Sequence, residues 1–147
     1  MTPAELTHYL HAHIPLSRAM QVEVLGTDPD QVVLRAPLAP NINHRDTLFG
    51  GSASAVSILA AWSLLHVRLR AAGLASRVVI QRNSMDYEEP VAGDFTVRAT
   101  LADVAQWTPF LRTLQRRGRA RIAVTAVIDY EGHEAGRLRG EFVAFGP

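Results

Sequence analysis

The chain has 147 residues, 48% of them hydrophobic, with 15 Arg, no Lys, 14 acidic residues and no Cys. This length predicts one domain over residues 1–147, with a core that needs no disulfide or metal to be stable. A net charge of +1 argues against a general nucleic-acid binder, and the lack of Cys and Lys excludes disulfide scaffolds, thiol nucleophiles, Schiff-base lysines and P-loop sites.

The first forty residues predict a short helix and a β-hairpin. Thr2-Pro3-Ala4-Glu5 combines the N-cap, proline and first-turn acid of a helix start, and Pro15 ends that helix. Residues 20–25 and 31–36 alternate apolar and polar side chains around an Asp-Pro turn, which is typical of paired strands. Pro37 and Pro40 then lead into a polar loop at residues 41–46.

Residues 52–72 predict one long buried helix. The segment contains no Pro or Gly, is apolar on nearly every side, and is followed by Gly73, where a helix C-terminal glycine is expected. Its apolar stretch, residues 53–67, is interrupted by three serines and His66, so we expect it to be too short and too polar to span a bilayer. The N-terminus lacks the features of a signal peptide, and the protein is expected to be cytoplasmic.

The remainder predicts strands at residues 77–87, 95–101, 119–130 and 134–145. Residues 102–114 are ambiguous, either a short helix or an irregular connection broken by Pro109. Alternation in the first of these strands places Val79 and Met85 on one face and Asp86 on the other. Short connections favour antiparallel pairing, and six strands share a core with one helix only if the sheet curls around it. The sequence therefore predicts an α+β fold.

The segment with the clearest chemical signal is residues 43–52, Asn-His-Arg-Asp-Thr-Leu-Phe-Gly-Gly-Ser, at the start of the long helix. Two glycines allow another molecule to approach the backbone, and a first helical turn offers unpaired N–H groups at a positive dipole end. Such donors polarise a carbonyl and hold a developing oxyanion. The alternative is that Gly50 and Gly51 only permit a tight turn into the helix.

This loop, in its strand–strand–loop–helix context, resembles the hot-dog fold of acyl-CoA thioesterases. The matching positions are Asn43, Phe49, Gly50 and Gly51, with Asp46 where the family usually has Gly. Residues 47–52 and 60–62 are similar to a small bacterial thioesterase subfamily whose domain also occurs fused behind acetyltransferase domains. Residues 85–94 and 118–145 extend the resemblance to nearly the whole chain.

The resemblance implies a homodimer, or a dimer of dimers, with acyl-thioester sites at the interface. The N–H of Gly50 or Gly51 would bind the thioester oxygen, and Asn43 would orient the carbonyl or the attacking water. Substrate-binding positions are His44, Thr47, Phe49 and Ser52. Coenzyme A or phosphopantetheine enters as part of the substrate, so no separate cofactor and no metal are expected.

The catalytic carboxylate is the point at which this sequence departs from the family. Many relatives carry it on the long helix, where this chain has Ile58, and no acid lies between Asp46 and Asp86. Asp46 is the predicted base, with Asp86 and His44 as alternatives. The missing helix acid also fits a non-catalytic acyl-thioester-binding domain. A third alternative, a 3-hydroxyacyl-thioester dehydratase, is disfavoured because Phe49 stands where some of those enzymes carry His.

Two further groups of residues invite a functional interpretation. Arg116, Arg117 and Arg119 belong to a run of five arginines whose guanidinium groups suit the phosphates of coenzyme A or phosphopantetheine, although a solvated strand entry explains them equally. Three histidines at positions 8, 11 and 13 loosely resemble a metal cluster, but no Cys or carboxylate completes it.

Overall fold

The computed structural model describes residues 1–146 and contains a six-stranded antiparallel sheet curled around one long helix. The elements in chain order are α1 (Pro3–His13), α2 (Pro15–Ala19), β1 (Glu23–Thr27), β2 (Val32–Ala36), α3 (Gly50–Ala71), β3 (Arg77–Tyr87), β4 (Phe95–Leu101), α4 (Trp107–Arg117), β5 (Arg119–Tyr130) and β6 (His133–Phe145), with short 3-10 helices at Ala39–Asn41 and Val104–Gln106. The strand order is β1-β2-β4-β5-β6-β3, and the predicted α+β architecture is confirmed.

The N-terminal helix begins as its sequence predicts. The Thr2 hydroxyl accepts a hydrogen bond from the Glu5 backbone N–H, and the Glu5 carboxylate accepts one from the Thr2 N–H, which completes a capping box. Pro15 both ends α1 and begins α2, because proline at the first position of a helix loses no hydrogen bond. The strand predicted at residues 20–25 begins later, at Glu23.

Helix α3 forms the centre of the core. It runs for 22 residues and begins two positions before the predicted start, because Gly50 and Gly51 are themselves helical. Gly73 follows it in the left-handed conformation, with φ of 74°. By length and composition α3 also meets the requirements for crossing a membrane, contrary to the prediction for residues 53–67, but most of it is buried by the sheet, as in the core helix of a globular protein.

The ambiguous segment after β4 is a helix. Pro109 lies in the first turn of α4, where its missing N–H would have no intrahelical partner, so the helix continues to Arg117. Phe110 and Leu114, one turn apart, are buried against the core. Of the two alternatives for this segment, the short helix is confirmed, and the irregular connection broken by Pro109 is wrong.

Strand β3 forms one edge of the sheet and contains a β-bulge between Ile80 and Arg82. The extra residue reverses the alternation, so that Val78 and Ile80 point inward before the bulge and Met85 points inward after it. Val79 is 49% exposed on the outer side. The predicted common face for Val79 and Met85 is therefore wrong.

Candidate functional site

The loop before α3 is organised by the side chain of Asn43. Its carbonyl oxygen accepts hydrogen bonds from the backbone N–H groups of Arg45 (2.8 Å) and Thr47 (3.1 Å). Its amide donates to the Thr47 hydroxyl (2.9 Å) and to the Leu48 carbonyl (3.4 Å). Both donors and both lone pairs of the amide are thereby used within the loop. Asn43 in this arrangement holds the loop in shape and has no spare donor for a substrate.

Replacing Asn43 with Ala is expected to lower stability and turnover together. The substitution leaves part-buried groups of Thr47 and Leu48 without partners, which costs about 1–3 kcal/mol. In a chain of this size we expect the melting temperature to fall by several degrees, roughly 2–4 °C per kcal/mol. Asn43→Asp keeps the accepting oxygen, so its melting temperature and turnover should lie between those of Asn43→Ala and the wild type. Lost turnover at an unchanged melting temperature would instead place Asn43 on the substrate.

The first turn of α3 presents unpaired backbone donors. Phe49 is the N-cap residue and contributes no side-chain cap, and the first helical hydrogen bond runs from the Ala53 N–H to the Phe49 carbonyl (2.9 Å). Within residues 1–146, the N–H groups of Gly50, Gly51 and Ser52 have no hydrogen-bond partner. These three donors lie at the positive end of the helix dipole and are available to a carbonyl oxygen or an anion.

The position of these donors is fixed by the chain on either side. The Phe49 N–H donates to the Asn41 carbonyl (2.8 Å), and the Leu48 N–H donates to the Val91 carbonyl (2.8 Å). Asn41 is itself buried, and its amide donates to the carbonyls of Met20 and Pro37. The entry into α3 is thus tied to three separate segments, so the donors need no rearrangement to receive a ligand.

Two aromatic rings frame the helix start and explain the glycine pair. A Cβ on Gly51 would lie 2.3 Å from the Phe49 ring. The Phe49 ring can therefore lie over position 51 only because glycine has no side chain. A Cβ on Gly50 would lie 3.4 Å from the Tyr87 ring, and the Tyr87 hydroxyl donates to the Gly50 carbonyl (3.3 Å). Phe49 and Tyr87 are both more than half exposed.

Two cavities open at this helix start. One, of about 270 Å³, contacts Gly50, and its wall includes Tyr87, Glu88 and Glu89. The other, of about 290 Å³, contacts Gly51 and Ser52. The second cavity shares wall residues with an almost wholly apolar groove of about 440 Å³ along α3. The shared residues are Leu16, Met20 and Ala55. One side of the helix start is therefore acidic and the other apolar.

Two acidic residues on the wall of the cavity at Gly50 were missed by the sequence reasoning. Glu88 and Glu89 follow β3, whose last residue, Tyr87, contacts Gly50. The Glu89 carboxylate lies 2.5 Å from His133 Nε2, whereas the Glu88 carboxylate has no side-chain partner among the described residues. Asp46 occupies an exposed loop position with φ of 62° and does not line either cavity at the helix start. The available signal was the position of the two acids directly after a strand.

The remaining residues singled out in the sequence lie in the loop, in the apolar groove and at the junction of α4 and β5. His44 is exposed in the loop, Thr47 accepts the Asn43 hydrogen bond, and Ile58 lines the apolar groove. Arg116, Arg117 and Arg119 lie where α4 ends and β5 begins. In the sheet, Phe145 of β6 pairs with Arg119 on one side and with Arg77 on the other. Arg77 is the first residue of β3, the strand that follows α3. A helix of 22 residues is about 33 Å long, so within one chain these arginines do not reach the loop.

Two of the three N-terminal histidines contact separate partners. His11 Nε2 lies 2.8 Å from the Val22 carbonyl oxygen, and the His13 ring packs against Tyr9 with centroids 4.3 Å apart. Across residues 1–146, no group of three or more possible side-chain ligands is arranged to hold a metal ion.

A family model described as "Putative thioesterase (yiiD_Cterm)" matches residues 3–146 of the chain. No curated protein matches the chain.

The chain is also similar to solved structures. A protein of unknown function from Chlorobaculum tepidum is 26% identical with a TM-score of 0.91, and 99% of this chain aligns with 98% of that one. A "putative thioesterase" from Shewanella oneidensis is 26% identical with a TM-score of 0.88, and 99% of this chain aligns with 97% of that one. A thioesterase from Haemophilus influenzae is 15% identical with a TM-score of 0.79, and 99% of this chain aligns with 92% of that one. At this identity the likeness shows the shared fold alone.

Proposed function

We propose that this chain, which belongs to the family described as "Putative thioesterase (yiiD_Cterm)", hydrolyses acyl thioesters at the start of α3. The observation that carries the proposal is the set of unpaired N–H groups at Gly50 and Gly51, held in place and flanked by an acidic and an apolar cavity. The thioester carbonyl oxygen binds these donors, which stabilise the negative charge that develops on it during attack.

Water is the nucleophile, and Glu88 is the base that the cavity favours. The carboxylate takes a proton from water as the water oxygen attacks the thioester carbon, forming a tetrahedral intermediate whose oxyanion binds the helix N–H groups. The carbon–sulfur bond then breaks, and the proton returns from Glu88 to the sulfur. The products are a carboxylic acid and a thiol. Asp46, the base predicted from the sequence, is the second candidate.

The apolar groove is suited to the acyl chain. It begins beside Gly51 and Ser52 and continues past Ala55 and Ile58 to Trp62. From position 52 to position 62 the helix rises about 15 Å, which gives room for an extended aliphatic chain. Ile58 stands where many hot-dog thioesterases have a carboxylate, and here it belongs to the groove wall. Straight-chain apolar acyl groups are therefore the expected substrates.

Thiol release from acyl-CoAs of increasing chain length tests this function. We expect wild type to hydrolyse medium and long chains faster than acetyl-CoA, because buried methylene groups each contribute about 0.8 kcal/mol. Ala55→Phe fills the groove beside the helix start and should remove that preference, while acetyl-CoA hydrolysis stays near the wild-type rate. Ala55→Ser, which keeps the volume small, is the matched control. No thiol release from any substrate would contradict the proposal.

A second copy of the chain completes the assembly. β3 is an eleven-residue edge strand that carries two exposed apolar side chains, Val79 and Tyr87, and Leu16 and Phe49 are exposed as well. Long exposed edges of this kind pair readily. Antiparallel pairing of two β3 strands about a two-fold axis brings the basic end that starts at Arg77 against the acidic end at Asp86, Glu88 and Glu89. The complementary charges support a homodimer.

Acyl-thioester binding without turnover is the second candidate function. It is favoured by one observation, the apolar Ile58 at the helix position where relatives carry an acid. Tight binding of an acyl-CoA with no thiol released over many enzyme equivalents would establish it.

A further inference from the structure

A cavity of about 580 Å³ lies at the C-terminal end of α3, at the opposite end of the helix from the candidate loop. Its wall contains the guanidinium-bearing residues Arg70 and Arg77 and the polar side chains of His66 and Ser76. Among residues 1–146, no acidic residue lines it. A wall whose described residues supply two cations and no carboxylate favours an anionic occupant.

Both arginines are free to bind such an occupant. Arg70 and Arg77 are exposed, and neither forms an ion pair or a side-chain hydrogen bond with any of the residues from 1 to 146. Arg70 is not needed to cap α3, because the last-turn carbonyls of Leu69 and Arg70 already accept hydrogen bonds from the backbone N–H groups of Leu74 and Gly73. Two guanidinium groups left without partners are suited to phosphate oxygens, which they bind in a bidentate manner.

The electrostatic surroundings are consistent with an anion site. Burial lowers the pKa of His66, and the positive charges of Arg70 and His13 lower it further. His66 Nε2 and Ser76 Oγ are also buried without a hydrogen-bond partner in the described part of the chain. The potential at this cavity is therefore positive, and its wall holds polar atoms that the protein itself does not satisfy.

The position of the cavity relates it to the partner subunit's loop. When two β3 strands pair antiparallel along their full length, Arg77 of one chain lies beside the partner's Tyr87. Tyr87 contacts Gly50, so the cavity of one chain then adjoins the helix start of the other. Within one chain, the two lie at opposite ends of a helix about 33 Å long.

We propose that Arg70 and Arg77 of one subunit bind the phosphate groups of the substrate's thiol carrier while the acyl thioester occupies the partner's helix start. The proposal rests on the thioesterase function above, and it transfers the predicted phosphate-binding role from Arg116, Arg117 and Arg119 to the cavity at the end of α3. The phosphates belong either to coenzyme A or to the phosphopantetheine of a carrier protein.

Binding of 3′,5′-ADP, measured calorimetrically, tests the site without any catalysis. We expect the double variant Arg70→Gln/Arg77→Gln to weaken binding at least about tenfold, because two charge-assisted contacts are lost. Arg35→Gln/Arg112→Gln removes the same charge from exposed positions elsewhere and should bind as wild type does. Equal binding by both double variants would show that these arginines do not bind the nucleotide phosphates, and would overturn the assignment of the site to coenzyme A.

Three thioesters with the same acyl group distinguish the sources of phosphate. We expect the Arg70→Gln/Arg77→Gln variant to raise KM for acyl-CoA about tenfold with kcat unchanged, and to leave acyl-pantetheine, which has no phosphate, unaffected. An equal rise for acyl-4′-phosphopantetheine would assign the site to the phosphate that a carrier protein also bears. A rise for acyl-CoA alone would assign it to the nucleotide. Unchanged KM values for all three would overturn the proposal.

Mixed dimers test whether the site is shared between subunits. Gly50→Pro chains, with the arginines intact, are mixed with Arg70→Gln/Arg77→Gln chains, with Gly50 intact. Random pairing places half of the chains in mixed dimers. If the helix start of one chain acts with the arginines of the other, each mixed dimer has one complete site of its two. About a quarter of the wild-type sites should therefore return, measured as activity at low acyl-CoA. No gain over the two separate variants would overturn the shared site. If no thioester were cleaved while 3′,5′-ADP still bound, the thioesterase function would fail and the anion site would stand.

Discussion

Gly50→Pro is expected to lower kcat by about 10²- to 10³-fold, whereas Gly50→Ala should remain within a few-fold of wild type. Loss of a single oxyanion donor has this magnitude in other enzymes. Both substitutions add a Cβ at the same place, where it would meet the Tyr87 ring at 3.4 Å, an ordinary contact. Only proline removes the backbone N–H, and its Cδ takes the place of that hydrogen. The difference between the two variants therefore reports whether the thioester oxygen binds at this N–H.

The fold tolerates proline at this position. Gly50 is the first residue of α3, where proline is favoured because its missing N–H has no intrahelical partner. The preceding residue, Phe49, already has the extended conformation that proline requires of its neighbour, with φ of −63° and ψ of 131°. We expect both variants to melt within a few degrees of wild type. Equal turnover by Gly50→Pro and Gly50→Ala would exclude the Gly50 N–H as an oxyanion donor.

Glu88→Gln should also reduce kcat by about 10²-fold or more, because a positioned carboxylate base typically contributes 10²- to 10⁴-fold. Glu88 is an exposed residue on the wall of the cavity at Gly50, and its carboxylate has no side-chain partner in the described structure, so we expect the substitution to cost little stability. Steady-state thiol release at saturating acyl-CoA measures the effect, and the melting temperature checks the fold.

Glu89→Gln and Asp46→Asn are the matched controls. Glu89 lines the same cavity but is paired with His133, and that exposed pair is worth at most about 1 kcal/mol. Asp46 is exposed in the loop and does not line the cavity. Both controls should retain most of the wild-type turnover. A large loss in Asp46→Asn with normal turnover in Glu88→Gln would return the base to the loop acid predicted from the sequence.

Local chemistry allowed the elements of this fold to be predicted. The capping box at Thr2, the uninterrupted apolar helix before Gly73 and the alternating residues 119–130 each determine their conformation through neighbours a few positions away. The loop at residues 43–52 could likewise be singled out, because its glycines stand at a helix start and the whole stretch resembles the hot-dog thioesterases. The segment at Pro109 stayed ambiguous and the alternation predicted for β3 was wrong, since proline at a helix start and an extra strand residue leave no periodic signal.

The tertiary structure alone decided which residues meet at the helix start. Tyr87 and Glu88 follow Gly50 by 37 and 38 positions, and only the docking of β3 beside α3 brings them together. The same sheet places Arg77 and Arg119 at the far end of that helix. Hydrogen-bond register and sheet curl set these distances, and both depend on contacts between segments remote in sequence. For that reason the sequence by itself determined the family, the elements and the loop. The fold determined that Glu88 lies on the wall of the cavity at the helix start and that the arginines lie at the far end of the same helix.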